Sequence, residues 1–167
     1  MGFDLHGMNP VIREGKDLKT PDNLWKLPEE KGQKYFKKKW AFEDNNPGVY
    51  FRNNCWWWRS LWDYVYNECQ DILTEKDWES GHYNDDHIIS EEKAVQIGKR
   101  LNELIESGKA QTYVDAHERE RKEAEEGNKG LKIGDEGYSW AESYPLHLEN
   151  IQSFAIFCSE SGGFDIC

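Results

Sequence analysis

The chain has 167 residues, and its 21 lysines and arginines against 32 aspartates and glutamates give a formal net charge of −11. That length suits a single domain with one buried core, and that charge should repel duplex DNA and anionic membranes. Eight tryptophans and an aromatic content of 14% exclude a disordered protein.

No apolar run approaches the roughly 18 residues that a membrane helix needs, and the amino terminus has no secretion signal. We therefore expect a cytoplasmic protein without membrane contact, located in the host cytoplasm if a phage encodes it. The four cysteines form no Cys-x-x-Cys pair, which argues against zinc ribbons and fingers. Gly-x-Gly-x-x-Gly and P-loop motifs are absent as well. No cofactor is predicted.

The first part of the chain is poor in regular patterns. Residues 1–10 resemble an extended segment that closes at Asn9-Pro10. Residues 11–47 have no sustained apolar period and contain three prolines, which favours an inserted flap or loop within one domain spanning 1–167. The stretch from Lys34 to Trp40 interleaves four lysines with three aromatic residues, a mixture that can bind single-stranded nucleic acid or a nucleotide. A solvated flap with aromatic anchors is the simpler interpretation.

The run from Tyr50 to Tyr66 is the most distinctive, because it holds four tryptophans, two arginines and two asparagines. Apolar residues at spacings of three and four predict a helix that starts at a cap on Asn53 or Asn54 and extends to about Leu73. Its buried face would carry Trp58, Leu61, Trp62, Val65, Cys69 and Ile72.

The opposite face of this helix combines indole rings with planar guanidinium and amide groups. Such groups suit a flat or anionic partner, because arginine can fork onto phosphate or carboxylate and indole can stack on a ring. A tryptophan-rich core helix with arginines lying across it is the simpler interpretation.

Later segments give clearer signals of secondary structure. The predicted elements are a short helical turn from Thr74 ended by Gly81, a helix at 91–107 capped by Ser90 and ended by Gly108, an exposed charged helix within 109–126, a glycine-rich loop at 127–143, a helix from Leu148 to Glu160, and a final strand at 164–167 that pairs with Phe3 to Leu5.

The polar loop from His82 to His87 offers two imidazoles and two carboxylates within six residues. These are ligand types for zinc, manganese or iron, so His82, Asp85 and His87 form an alternative metal site. A polar ligand site is a second interpretation, and a structural loop with capping aspartate and asparagine side chains is the simplest one.

Several motifs resemble those of a family of small uncharacterised proteins from bacteriophages and bacterial genomes. The matching parts are the opening Met-Gly-Phe-Asp-Leu with Asn9-Pro10, the run at 50–65, the stretch from Gly81 to Asp85, and the pattern from Tyr144-Pro145 to Cys167. The resemblance implies a phage context, in which small accessory proteins commonly blunt host defences. It supplies no established activity.

Together these features predict a mainly α-helical domain, α+β at most, with a small β element near the termini. The predicted function is non-enzymatic counter-defence binding that sequesters a nucleotide-derived immune signal. The alternatives are an acidic inhibitor of a host defence protein and a metal-dependent hydrolase. The candidate ligand-binding residues are Arg52, Asn53, Asn54, Trp56, Trp57, Arg59, His82, Asn84, Asp85 and His87.

Overall fold

The computed structural model describes residues 2–16, 18–83 and 86–167, and it is mainly helical with a small antiparallel sheet, as predicted. Within these ranges the α-helices are α1 (Glu29–Asn45), α2 (Cys55–Glu68), α3 (Glu75–Ser80), α4 (Glu91–Glu106), α5 (Lys109–Gly127) and α6 (Leu148–Glu160). The strands are β1 (Gly2–Gly7), β2 (Tyr50–Asn54), β3 (His87–Ile89) and β4 (Phe164–Ile166). No helix of the described ranges is long and apolar enough to cross a membrane.

The sheet joins the two ends of the chain in the order β2-β1-β4-β3, with every neighbouring pair antiparallel. The predicted pairing of the last strand with the first is confirmed, with Leu5 opposite Ile166 and Gly7 opposite Phe164. The sheet is larger than the predicted pairing of the two ends of the chain. Strand β2 is added beside β1, and strand β3 is added beside β4. Phe3 and Leu5 lie two residues apart on β1, so both side chains point to the same face of the sheet and are buried in the core.

The tryptophan run is divided between a strand and a helix. Residues 50–54 form β2, where the sequence placed only the entry to a helix. Asn54 is the helix cap, since its Oδ1 accepts from the backbone N–H groups of Trp56 (3.0 Å) and Trp57 (3.1 Å). The helix ends at Glu68 rather than near Leu73, and the guanidinium of Arg100 donates to the Glu68 carbonyl at 2.5 Å. A contact from α4 thus satisfies one of the carbonyls that the last turn leaves without a partner.

The predicted buried face of α2 is confirmed at its centre. The side chains of Trp58, Leu61, Trp62 and Val65 are fully buried, and they pack against α6, where Phe154 meets both indole rings edge-on. The bounds of α4 and α6 match the sequence predictions to within one residue. Gly108, with a φ of 76°, separates α4 from α5.

The segment at 11–47, predicted as an inserted flap or loop, contains the helix α1 at residues 29–45. Only Phe42 of this helix is buried, so no apolar stripe marks it in the sequence. Glutamate, lysine, glutamine and alanine are strong helix formers, and they account for a helix with one buried residue. The assignment of 11–47 as an insertion stays a prediction.

The buried side chain of Asn46 closes the base of this segment. Its Oδ1 accepts from the backbone N–H groups of Arg13 (2.7 Å) and Glu14 (3.1 Å), and its Nδ2 donates to the carbonyls of Glu14 (2.9 Å) and Phe42 (2.7 Å). One amide therefore joins the chain that enters the segment to the chain that leaves it.

We expect Asn46→Ala to lower the free energy of unfolding by about 1–3 kcal/mol, because it removes the hydrogen bonds to four backbone groups, including the buried carbonyl of Phe42. It should also speed proteolysis within residues 14–45. Asn45→Ala is the matched control, since Asn45 is an exposed neighbour at the end of α1. Denaturant titration and limited proteolysis of both variants check this result, and equal behaviour of the two would contradict it.

Candidate functional site

A cavity of about 750 Å³ lies between α2, α3, α5 and the short 3-10 turn at 140–143. Its walls combine aromatic rings with charged groups of both signs, which is the usual make-up of a small-molecule site. The residues lining it are Arg59, Ser60, Asp63, Glu75, Trp78, Glu79, His82, Tyr83, Tyr113, His117, Glu120, Arg121, Ala141 and Tyr144.

One wall comes from a pair of rings on α5. Tyr113 and His117 are four residues apart and so share a face of the helix, and their rings are nearly parallel, with centroids 6.4 Å apart. The ring of Tyr113 packs against the ring of Tyr64 in the core, with centroids 4.7 Å apart. Nε2 of His117 lies 2.7 Å from the carbonyl oxygen of Tyr144. Because a carbonyl only accepts, Nε2 carries the proton, and this contact fixes α5 against the segment at 140–144.

The floor contains a linked trio of Asp63, Trp78 and His82. The indole N–H of Trp78 donates to Oδ1 of Asp63 at 2.7 Å, and the same oxygen lies 3.2 Å from Nε2 of His82. Nδ1 of His82 lies 2.8 Å from the backbone carbonyl of Trp78. Both ring nitrogens of His82 therefore lie near oxygen atoms that accept hydrogen bonds, an arrangement that favours the protonated ring.

The pKa directions agree with this assignment. Burial alone would lower the pKa of His82, but the hydrogen bonds to Asp63 and to the Trp78 carbonyl outweigh it, and the pKa is raised. Burial would raise the pKa of Asp63, yet the hydrogen bonds from His82 and Trp78 hold it below its usual value. Each of these shifts favours the ion pair between Asp63 and His82.

Two arginines line the cavity, and they differ in how their guanidinium groups are paired. Arg121 forks onto the carboxylate of Glu118 with distances of 2.7 Å and 3.0 Å, and it also donates to the carbonyl of Glu142. Arg59 is exposed one turn before Asp63 on α2, and among the described residues it has no hydrogen-bond or ion-pair partner. Arg59 is therefore the cation that a ligand can engage without displacing a protein group.

Only some of the ligand-binding residues predicted from the sequence line the cavity. Arg59 and His82 line the cavity, whereas Arg52, on β2, pairs with Asp4 at 3.4 Å. The amide of Asn53 donates to the side chain of Asn150 at 3.2 Å. As the cap of α2, Asn54 already uses its side-chain oxygen.

The two exposed-face tryptophans are engaged with other rings. Trp56 lies nearly parallel to Trp140, with centroids 6.3 Å apart, and it also contacts Tyr144. Trp57 meets His147 edge-on at 4.6 Å. Neither tryptophan lines the cavity, although the partners of Trp56 belong to the segment that forms its rim.

The two histidines of the alternative metal site contact different side chains. His82 is held by Asp63, while Nε2 of His87 lies 3.0 Å from Asp77. The two imidazoles are thus committed to different carboxylates. Asn84 and Asp85 fall outside the described residues.

A different set of possible metal ligands meets on the outward side of the sheet. One ligand atom from each of Asp86, Asp165 and Cys167 lies within 4.8 Å of the others. Burial and the neighbouring carboxylates of Asp165, Asp4 and Asp86 raise the pKa of the Cys167 thiol. A thiol must lose its proton to bind a metal, so this environment opposes coordination by sulfur.

Sequence reasoning missed the α5 contribution to the cavity. The charged run of α5 indicated a solvated face, and that view holds for its second half, where most side chains are exposed. Tyr113 and His117 both precede that run. Each lies three residues after a buried residue of α5, Tyr113 after Ala110 and His117 after Val114. That spacing was the available signal that one face of α5 turns inward.

Comparisons with protein-family models, curated proteins and solved structures found no match to this chain. The candidate site rests on its own geometry.

Proposed function

We propose that the protein binds a small, planar, anionic ligand of the nucleotide class in this cavity and holds it without chemical change. The observation that carries the proposal is the guanidinium of Arg59, which has no hydrogen-bond or ion-pair partner among the described residues, together with the hydrogen-bonded ring of His82 at an aromatic-walled cavity. Fixed positive groups and ring faces together suit a molecule that has both a heteroaromatic ring and a phosphate.

The remaining groups have compatible roles. Trp78, Tyr83 and Tyr144 offer ring faces on which a base can stack, and the cavity is large enough for one nucleotide-sized molecule. The carboxylates of Glu75, Glu79 and Glu120 accept hydrogen bonds, which matches the exocyclic amino groups of a base. A phosphate would take the place beside Arg59.

The contacts that Asp63 and His82 already make favour sequestration over turnover. A general base needs a ring nitrogen free to accept a proton, and both nitrogens of His82 already contact acceptor oxygens, those of Asp63 and of the Trp78 carbonyl. Asp63 is committed to His82 and Trp78. In the phage context that the sequence resemblance implies, holding a nucleotide-derived immune signal would lower its free concentration in the host.

Arg59→Ala should remove ligand-induced stabilisation while leaving the fold intact, because Arg59 is exposed and has no hydrogen-bond or ion-pair partner among the described residues. The measurement is thermal unfolding against cyclic di- and trinucleotides, cyclic ADP-ribose isomers, linear nucleotides and spermidine, each in excess. A ligand at about 100 times its dissociation constant adds roughly 2.7 kcal/mol to the wild-type protein. We expect Arg59→Ala to lose that gain.

Arg52→Ala is the matched control, since Arg52 is an exposed arginine on β2 outside the cavity. It should retain the full shift. Equal losses in the two variants would contradict the cavity as the site. Stabilisation by spermidine but by no nucleotide would replace an anionic ligand with an organic cation held by the glutamates, and silence across the panel would favour a host protein as partner.

A further inference from the structure

We infer that the ligand has two bases joined through a phosphodiester, so that the protein binds a dinucleotide rather than a mononucleotide. This inference rests on the proposed function and deepens it. One base occupies the cavity, the phosphate lies beside Arg59, and the second base stacks outside the cavity on Trp56 and Trp140. We call these two tryptophans the indole pair.

The outer face of α2 places these groups in a line. One side of the helix carries residues spaced by three and four, namely Trp56, Arg59, Ser60 and Asp63. The last three line the cavity, and Trp56 lies one turn beyond them towards the start of α2. The helix rises about 10 Å between Asp63 and Trp56, at 1.5 Å per residue. The cavity floor, the guanidinium of Arg59 and an indole therefore follow one another along a single helix face.

The indole pair offers ring surface that the protein leaves open to solvent. The two indoles are nearly parallel, with an interplanar angle of 12° and centroids 6.3 Å apart. Trp56 is 39% exposed and Trp140 is 46% exposed. Tyr144 connects the pair to the cavity, because it lines the cavity and its ring centroid lies 5.3 Å from that of Trp56. Aromatic side chains thus continue from the cavity to the indole pair.

Hydrogen bonds hold the segment that carries Trp140 in place. On the side of α5, Nε2 of His117 donates to the carbonyl of Tyr144 at 2.7 Å. On the side of α2, the hydroxyl of Ser60 donates to the carbonyl of Pro145 at 2.5 Å. Both helices therefore fix the position of the indole pair relative to the cavity. A base that stacks there loses little binding free energy to the ordering of these rings.

The order of these groups selects a dinucleotide. A mononucleotide would fill the cavity and reach Arg59, but it would leave the indole pair without a ring to stack on. A dinucleotide has its phosphate between its two bases, which matches the order of cavity, Arg59 and indole pair along α2. Stacking of a base on an aromatic side chain contributes about 1–3 kcal/mol, whichever the base. The net charge of −11 opposes each further phosphate, so a longer single strand gains less from every nucleotide that it adds.

The test measures the affinity of the full-length protein for pairs of probes by isothermal titration calorimetry. One probe of each pair is a dinucleoside monophosphate such as adenylyl-adenosine, and the other is the methyl ester of the matching nucleoside 3′-monophosphate. Both carry one phosphodiester charge, and only the second nucleoside differs. The pairs cover adenine, guanine, cytosine and uracil. With the base that the cavity accepts, we expect the dinucleotide to bind about 5- to 150-fold more tightly than the methyl ester.

Trp140→Ala should abolish this gain while leaving the affinity for the methyl ester unchanged. Trp140→Phe should restore most of the gain, because a phenyl ring also stacks on a base. Trp25→Ala is the matched control, since Trp25 is 93% exposed in the short 3-10 turn at 24–26 and does not line the cavity. It should keep the full gain. Arg59→Ala should weaken both probes by the same factor, because both contain the phosphate.

Different results would overturn this inference and the proposed function. Binding of neither probe for any base would overturn the cavity as a nucleotide site, and this inference with it. Binding of the methyl ester without a gain for the dinucleotide would overturn this inference alone. So would an equal loss for both probes in Trp140→Ala, which would show that the indole only holds the segment at 140–144 in place. Affinity that keeps rising with a third and a fourth nucleotide would overturn it in favour of a longer single strand.

Discussion

Replacing Asp77 by alanine should lower the free energy of unfolding by about 3–5 kcal/mol, because it breaks a buried ion pair from one side only. The side chain of Asp77 is 7% exposed and accepts four hydrogen bonds. These come from Nζ of Lys93 at 2.5 Å, the hydroxyl and backbone N–H of Thr74 at 2.6 Å and 2.8 Å, and Nε2 of His87 at 3.0 Å. One carboxylate therefore joins α3 to both α4 and β3.

Asp71→Ala is the matched control for this prediction. Asp71 also pairs with a cation of α4, Arg100, at 2.8 Å, but its side chain is 65% exposed. An exposed pair of this kind contributes only about 0–1 kcal/mol. Denaturant titration of both variants at neutral pH measures the difference. A loss at Asp77 no larger than the loss at Asp71 would show that burial adds nothing to the network.

The same carboxylate should give a pH signature. Burial would raise the pKa of Asp77, but the hydrogen bonds from Lys93, Thr74 and His87 outweigh it and hold the pKa far below its unfolded value of 3.8. A depressed pKa in the folded state stabilises the protein above that unfolded value, and the contribution is lost as the pH falls below it. Wild-type stability should therefore decline more steeply below about pH 4 than the stability of Asp77→Ala.

The sequence predicted those elements that carry their own local signals. Ser90 and Gly108 mark the ends of α4, and an apolar stripe marks its buried face, so its bounds followed from neighbouring residues alone. Asn54 was recognisable as a cap for the same reason. Helix α1 has neither an apolar stripe nor a side-chain cap, and only intrinsic propensity indicates it.

The candidate site was predicted only in part because it depends on distant contacts. Arg59 and His82 were selected for their residue types, and both line the cavity. Their neighbours Tyr113 and His117 come from a helix about 30 to 60 residues further along the chain, and no local pattern shows which helices meet. Arg52 was grouped with Arg59 by proximity in sequence, yet the change from β2 to α2 between them sends Arg52 to the sheet instead.

Gly81→Ala should lower the free energy of unfolding by about 3 kcal/mol, at the upper end of the range for overpacked cores. The sequence indicated Gly81 as a helix stop, but its φ of −64° and ψ of −11° suit any residue. Space is the constraint. A Cβ atom there would lie 2.1 Å from Nε1 and 2.4 Å from Cε2 of the buried Trp62 ring. The Gly81 carbonyl also accepts from the indole N–H of Trp58 at 2.6 Å, so a displaced backbone would lose that hydrogen bond.

Gly32→Ala is the matched control, because a Cβ at this position in α1 meets nothing within 4 Å. It should stabilise the protein by about 0.5–1 kcal/mol, since alanine is the better helix former. The same substitution is therefore expected to act with opposite signs at the two glycines, as measured by denaturant titration. Trp62→Phe in the Gly81→Ala background should cost less than Trp62→Phe in wild type, because the smaller ring relieves the clash. Wild-type stability of Gly81→Ala would show that the Trp62 ring moves aside without cost. Additive losses in the double variant would show that the loss at Gly81 does not come from a clash with this ring.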